Sequence, residues 1–291
     1  MISLRQPFDL WTLTRRLRLS LSSTVNVFVA YYFGRRPFLR KFAPETLVID
    51  IPEWGKIPIR ANGEDTSLLR QILVDGEYNL PSENVRRVVD LGANIGLATV
   101  FLSRRFPDAE IACVEPSPQN IPLLKRVIAM NGIRACVFEA AIGPVDGSID
   151  LFLSAQPDCT SVVNAVNTVG IVKVPQISME HLMKDMGWEG IDVMKLDIEG
   201  AEKFLLTENQ AWLGKVRMVV GESHANVGHP LCAVGKRPRR ARLRAQDHDR
   251  GTRKLWRDVP GHKLASSRQL NATSRNLHPL VVTSRMRVAW G

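Results

Sequence analysis

A chain of 291 residues can bury a full core and suggests one large domain with additions. Its net charge of +10 invites a nucleic-acid reading, but residues 236–291 hold 15 Lys and Arg against 3 Asp and Glu, net +12, which leaves 24 against 26, net −2, for residues 1–235. The body is nearly neutral, so the net positive charge belongs to the tail.

At the N-terminus, Arg15-Arg-Leu-Arg18 precedes a stretch to Phe33 in which Leu17, Leu21, Val25, Phe28 and Tyr32 recur at helical spacing. Ser20, Ser22, Ser23, Thr24 and Asn26 interrupt it, so it falls short of the roughly 20 apolar residues of a membrane span. It also lacks the small-x-small site of a signal peptide. The expectation is an amphipathic helix packed on the domain, with interfacial membrane contact as the alternative. Short β pieces at Thr46–Ile51 and Ile57–Arg60 close a preface, residues 1–64, and a helix from Ser67 and a turn at Gly76 open a domain over 65–226. Tyr78 either caps the pocket as an aromatic lid or is ordinary packing.

Residues 88–96, Val-Val-Asp-Leu-Gly-Ala-Asn-Ile-Gly, read as an apolar strand carrying Asp90, then a turn through Gly92, Asn94 and Gly96 into a helix. Glycines in such a turn let backbone approach a ligand, and an acid at the strand end accepts hydrogen bonds from hydroxyls or an amine. The spacing is neither G-x-G-x-x-G nor a P-loop, which favours an adenosine ligand without phosphates over a dinucleotide. Residues 110–115 form a second apolar strand ending in Glu115, 19 residues beyond Gly96, where an acid grips ribose hydroxyls. S-adenosylmethionine meets both requirements, and an NAD-type oxidoreductase is the alternative among enzymes.

After Glu115, Pro-Ser-Pro opens a helix to Met130 that Asn131-Gly132 closes, and Ala135 to Ala141 reads as a third strand whose end, Ala141, is placed beside the cofactor. Residues 191–200 form a further apolar strand. At period two it projects Lys195, Asp197 and Glu199 to one side, into the crevice at the carboxyl end of a parallel sheet. Cys113 and Cys136 fall in core strands, while Cys159 and Cys232 are isolated. With no C-x-x-C and no His at ligand spacing, neither a metal site nor a disulfide framework is expected, and the default location is cytoplasmic.

Asp-Leu-Gly-Ala-Asn-Ile-Gly (90–96), Val-Glu-Pro-Ser-Pro (114–118) and Lys-Leu-Asp-Ile-Glu-Gly-Ala-Glu (195–202) together resemble three blocks of the FkbM-type S-adenosylmethionine-dependent methyltransferases. Glu222-Ser-His224 resembles a fourth. The resemblance covers residues 65–226 and implies an α/β fold, the Rossmann-like doubly wound sheet of class I methyltransferases. It also implies O-methylation of a hydroxyl on a small molecule or glycan, and Asn94 matches the family's own Asn in the glycine turn. For the proton that the acceptor must lose, the candidates are Asp197, Glu199 and His224, each at a predicted strand end.

From Gly235 the character changes within a few residues to Lys-Arg-Pro-Arg-Arg-Ala-Arg-Leu-Arg, and no clear apolar pattern returns before Leu280-Val-Val. Residues 227–291 are open to three readings: a nucleic-acid-binding arm, a disordered extension, or an out-of-frame or degenerate segment. The abruptness favours the last. On that reading the closing strands of the sheet are incomplete or atypical, residues 216–222 form an unpaired apolar edge, and a non-catalytic remnant becomes an alternative to the enzyme.

Overall fold

The computed structural model describes residues 6–75, 78, 80, 84–154, 168–198, 201, 205, 211–222, 244–245 and 280–285. The chain divides into two compact units that interleave along the sequence: residues 1–77, 93–107 and 118–135 form one, and residues 78–92, 108–117 and 136–291 the other.

In the first unit, α1 (Gln6–Arg16), α2 (Leu21–Gly34) and α3 (Pro37–Arg40) precede an antiparallel hairpin, β1 (Thr46–Ile51) and β2 (Gly55–Arg60). Helix α2 starts where Ser20 caps it, its side chain accepting the Ser23 N–H. One face of α2 covers the outer edge of β1. Ser23 Oγ exchanges hydrogen bonds with the backbone of Asp50 (2.9 and 3.1 Å), and Asn26 donates to the Val48 carbonyl at 2.9 Å. Polar side chains thus satisfy a strand edge that would otherwise expose unpaired groups. Helix α4 (Glu64–Leu73) follows, and its buried Asp65 holds Arg60 at 2.9 Å. Helices α5 (Leu97–Arg105) and α6 (Ile121–Asn131) complete the unit. Gly132 ends α6 in the left-handed conformation at φ +59°, as its sequence position predicts.

The second unit holds a seven-stranded sheet. Its strands are β3 (Arg87–Leu91), β4 (Glu110–Val114), β5 (Ala135–Phe138), β9 (Val193–Leu196), β10 (Met218–Glu222), β11 (Arg244–Ala245) and β12 (Leu280–Arg285), in the order β11-β12-β10-β9-β3-β4-β5. The pairs β3–β4, β3–β9, β9–β10, β10–β12 and β11–β12 are all parallel. The chain steps outward from β3 to β4 and β5, then returns to build β9 and β10 on the other side of β3. The strand order therefore reverses between β3 and β9, the topological switch point at which open α/β sheets bind ligands. A three-stranded sheet of β6 (Ala141–Ile142), β7 (Gly147–Ser154) and β8 (Thr168–Ile177) accompanies it, in the order β6-β8-β7.

Helix α7 (Met179–Asp185) contributes Met179, Leu182 and Met183 to one core with Val89, Leu91, Ala112, Met194, Trp188 and Trp212. Strands β3, β4 and β9 read as continuous apolar runs because strands at the centre of a parallel sheet are covered on both faces. This is the α/β, mostly parallel sheet that the resemblance implies.

Three expectations are corrected. Residues 218–222 are not an unpaired edge, because β12 lies parallel to β10 from Met218↔Leu280 to Glu222↔Arg285, and β11 adds to β12. The β-branched run Val281-Val282-Thr283 supplies that strand. Residues 135–141 are not one strand: β5 stops at Phe138, and Ala141 opens β6 in the other sheet. Cys136 is exposed rather than in the core, since β5 is the last strand of its sheet. Among the described residues, no helix is long and apolar enough to cross a membrane.

Candidate functional site

The sheet register sets the site. Leu91 pairs with Val114 on one side and Leu196 on the other, so the next residues, Gly92, Glu115 and Asp197, stand side by side at the carboxyl ends of β3, β4 and β9. Two backbone bonds extend the ladders to that level, Gly92 N–H to the Val114 carbonyl at 3.0 Å and Asp197 N–H to the Leu91 carbonyl at 3.3 Å. Three strands that read separately as "apolar run, then acid" thus converge on one edge.

One level deeper, Asp90 pairs across the ladder with Lys195. Both side chains are buried, and Lys195 Nζ lies 3.2 Å from Asp90 Oδ1 and 3.9 Å from Asp197 Oδ2. It also donates to the carbonyls of Leu91 (3.2 Å) and Gly92 (2.6 Å). Burial alone pulls a lysine toward its neutral form, but the carboxylates of Asp90, Asp197 and Glu115 outweigh it and raise Lys195 above its ordinary value. The ammonium stays charged and ties the turn after β3 to the end of β9. Lys195 thus shares a side of β9 with Asp197, as period two predicts, but it is buried against Asp90 instead of lying open as Asp197 does. The signal available in the sequence was a lysine and an aspartate each embedded in an apolar strand, a pattern that demands a partner.

Asp197 is the more open of these charges, its side chain 29% exposed. Glu115 is buried and its Oε1 accepts the Ser117 N–H at 2.9 Å, which holds the Glu-Pro-Ser bend against the end of β4. Ser117 is also buried, and its hydroxyl has no hydrogen-bond partner among the described residues. A buried hydroxyl without a partner costs roughly 1–3 kcal/mol, so this position favours a polar ligand. Sequence reading passed over Ser117 because a serine between two prolines looks like turn chemistry alone.

The glycines have packing reasons of their own. Gly92 sits at φ +73°, and a Cβ there would collide with the backbone carbonyl of Asp197. In the other unit, Asn94 adopts φ +52°, which Asn tolerates better than most residues, and a Cβ on Gly96 would strike Val127. Ala141 belongs to β6 of the three-stranded sheet. It packs with Leu151 and Val174 in the core of the small sheet. Tyr78 is buried rather than an exposed lid. Glu199 and His224 lie outside the described residues.

The donor set of acids and a hydroxyl, with one lysine already committed to them, suits a ligand rich in hydroxyl and amine donors. S-adenosylmethionine, with ribose hydroxyls and a methionine amine, has that chemistry.

Residues 90–231 match the methyltransferase FkbM domain, a span that stops shortly before the composition changes at Gly235. Methyltransferase sdnD of Sordaria araneosa is 29% identical over 54% of this chain and 73% of its own length. The 31-O-demethyl-FK506 methyltransferase FkbM of Streptomyces tacrolimicus is 22% identical over 56% of this chain and 75% of its own. Methyltransferase FkbM from Methylobacillus flagellatus, a solved structure, is 16% identical with a TM-score of 0.33, over 69% of this chain and 44% of that one.

Proposed function

We propose, on the match of residues 90–231 to the methyltransferase FkbM domain, that this chain transfers the methyl group of S-adenosylmethionine to a hydroxyl of a small molecule or glycan. The observation that carries the reading is the shared register of Glu115, Gly92 and Asp197 at the switch point of the sheet, with Asp90 and Lys195 locked beneath them. The acceptor class is supported by the Streptomyces relative, whose acceptor is an O-demethyl form of a small molecule.

Bound S-adenosylmethionine supplies an electrophilic methyl group, which leaves the protein to orient an acceptor oxygen and take up its proton. Glu115 and Ser117 are assigned to the nucleoside hydroxyls and Asp90 to the amine side. Asp197, partly open and beside the turn, is assigned to the acceptor proton. Lys195 acts through the others. Its two bonds to the Leu91 and Gly92 carbonyls fix the turn, and its charge balances the carboxylates that would otherwise repel one another.

Asp197→Asn keeps the shape and removes the charge. The variant is expected to retain S-adenosylmethionine affinity while methyl transfer to a hydroxyl acceptor falls about 10²- to 10⁴-fold. The readout is turnover at saturating cofactor; an unchanged rate would remove Asp197 from the chemistry.

A further inference from the structure

The N-terminal helices carry apolar surface on the side that the fold does not use. In α2, Ser23, Val27 and Ala30 are buried, while Leu21 and Val25, one turn apart on the opposite side, are 83% and 51% exposed. Phe28 and Tyr32 continue that outer stripe at helical spacing, their rings stacked with centroids 6.0 Å apart. A helix that is apolar on both sides matches a surface with water on neither side. The flanking elements repeat the arrangement. On and just after α1, the buried Leu10, Leu13 and Leu17 oppose an outer Trp11, 53% exposed. On and just after α3, Phe38 and Phe42 are 66% and 69% exposed. Helices α1 and α3 both pack on α2.

Charge selects the occupant. Residues 10–44 contain seven Lys and Arg and no Asp or Glu, whereas residues 45–235 hold 16 Lys and Arg against 25 Asp and Glu. Arg15, Arg16 and Arg18 precede α2, and Arg35, Arg36 and Lys41 follow it, all exposed. Arg18 has one weak partner, Glu53 at 3.6 Å, while Arg35 lies over the Tyr31 ring and Lys41 over the Phe42 ring. Cations at the ends of an exposed apolar stripe, with aromatic side chains interleaved, are the composition of an interfacial helix. Fourteen residues span about 21 Å as a helix, too short for a bilayer core of about 30 Å, so this helix would lie along the interface and not cross it.

We propose that residues 10–44 dock this protein onto an anionic membrane surface, with Trp11, Leu21, Val25, Phe38 and Phe42 entering the headgroup region and the basic residues meeting lipid phosphates. This holds whether or not the acceptor assignment above is correct.

The test is flotation of the full chain with vesicles of phosphatidylcholine alone and with about one-third phosphatidylglycerol. Binding is expected only to the anionic vesicles and is expected to fall as salt rises. Leu21→Ser/Val25→Ser alters exposed positions and keeps the basic tail intact. It should weaken binding at least about tenfold, with an unchanged circular dichroism spectrum and melting temperature. Arg15→Gln/Arg16→Gln should weaken it by a similar factor. Four outcomes would overturn the proposal: no anionic preference; equal binding by wild type and both variants, which would place the contact in residues 236–291; a concentration-dependent dimer that Leu21→Ser/Val25→Ser dissociates, in a protein that ignores vesicles; or a protein partner captured in place of lipid.

Discussion

Two ionic clusters in the same unit show what burial does to similar chemistry. At the sheet edge, Lys195 meets Asp90 at 3.2 Å with both side chains almost fully enclosed. At the surface, His181 on α7 reaches Asp146 at 2.9 Å and Asp185 at 3.3 Å, each side chain more than a third exposed. The distances are alike, yet the first cluster organises strand ends and the second only trims a helix. Asp146 accepts the Ser178 N–H at 2.7 Å, and the Ser178 hydroxyl caps α7 by accepting the His181 N–H. Water screens those surface charges, so geometry that looks equivalent carries little of the same weight.

The sharpest way to break the comparison is Lys195→Met. It leaves Asp90 buried without its cation and is expected to lower unfolding free energy by about 3–5 kcal/mol in urea titration. Combining it with Asp90→Asn should recover part of that loss, because the second change removes the stranded charge. Strict additivity would mean that the two side chains do not act as a pair.

The surface cluster should respond to pH instead. His181 is raised above its ordinary value, first by its hydrogen bond to Asp146, and Asp146 is lowered to about 2, first by its hydrogen bond to His181. A raised histidine contributes fully below its unfolded value of about 6.5 and loses that contribution as pH climbs through its folded value. A depressed aspartate contributes above about 3.9 and loses it as pH falls through about 2. The cluster is therefore strongest between about pH 4 and 6.5. His181→Ala should cause only a small drop in melting temperature, confined to that side of neutrality. A large drop at pH 8 would show that the histidine matters for packing rather than charge.

These two regions also explain what sequence could reveal. Strands β3, β4 and β9 were legible because central parallel strands are mostly apolar and acids mark their carboxyl ends, and the ends of β1 and α6 fell where turn and cap residues put them. Period put Lys195 on the same side as Asp197, where it lies, but period says nothing about burial, so its pairing with Asp90 on the neighbouring strand went unread. Strands β7 and β8 went unread because apolar residues occupy both of their faces. Val169 and Ile171 are 65% and 61% exposed while Val174 is buried, so hydrophobicity does not alternate along β8 although burial does. Strand β12 lies 58 residues beyond the end of β10 within a basic stretch, so its apolar run at Leu280-Val-Val was visible but its partner was not.

The central claim is that the carboxyl edge of β3, β4 and β9 is a site for S-adenosylmethionine, and calorimetric titration tests it most directly. Wild-type protein should bind S-adenosylmethionine and give no heat with NAD. Glu115→Ala, verified as folded by its melting curve, should lose about 1–3 kcal/mol of that affinity. Binding of NAD, or S-adenosylmethionine affinity untouched by Glu115→Ala, would contradict it.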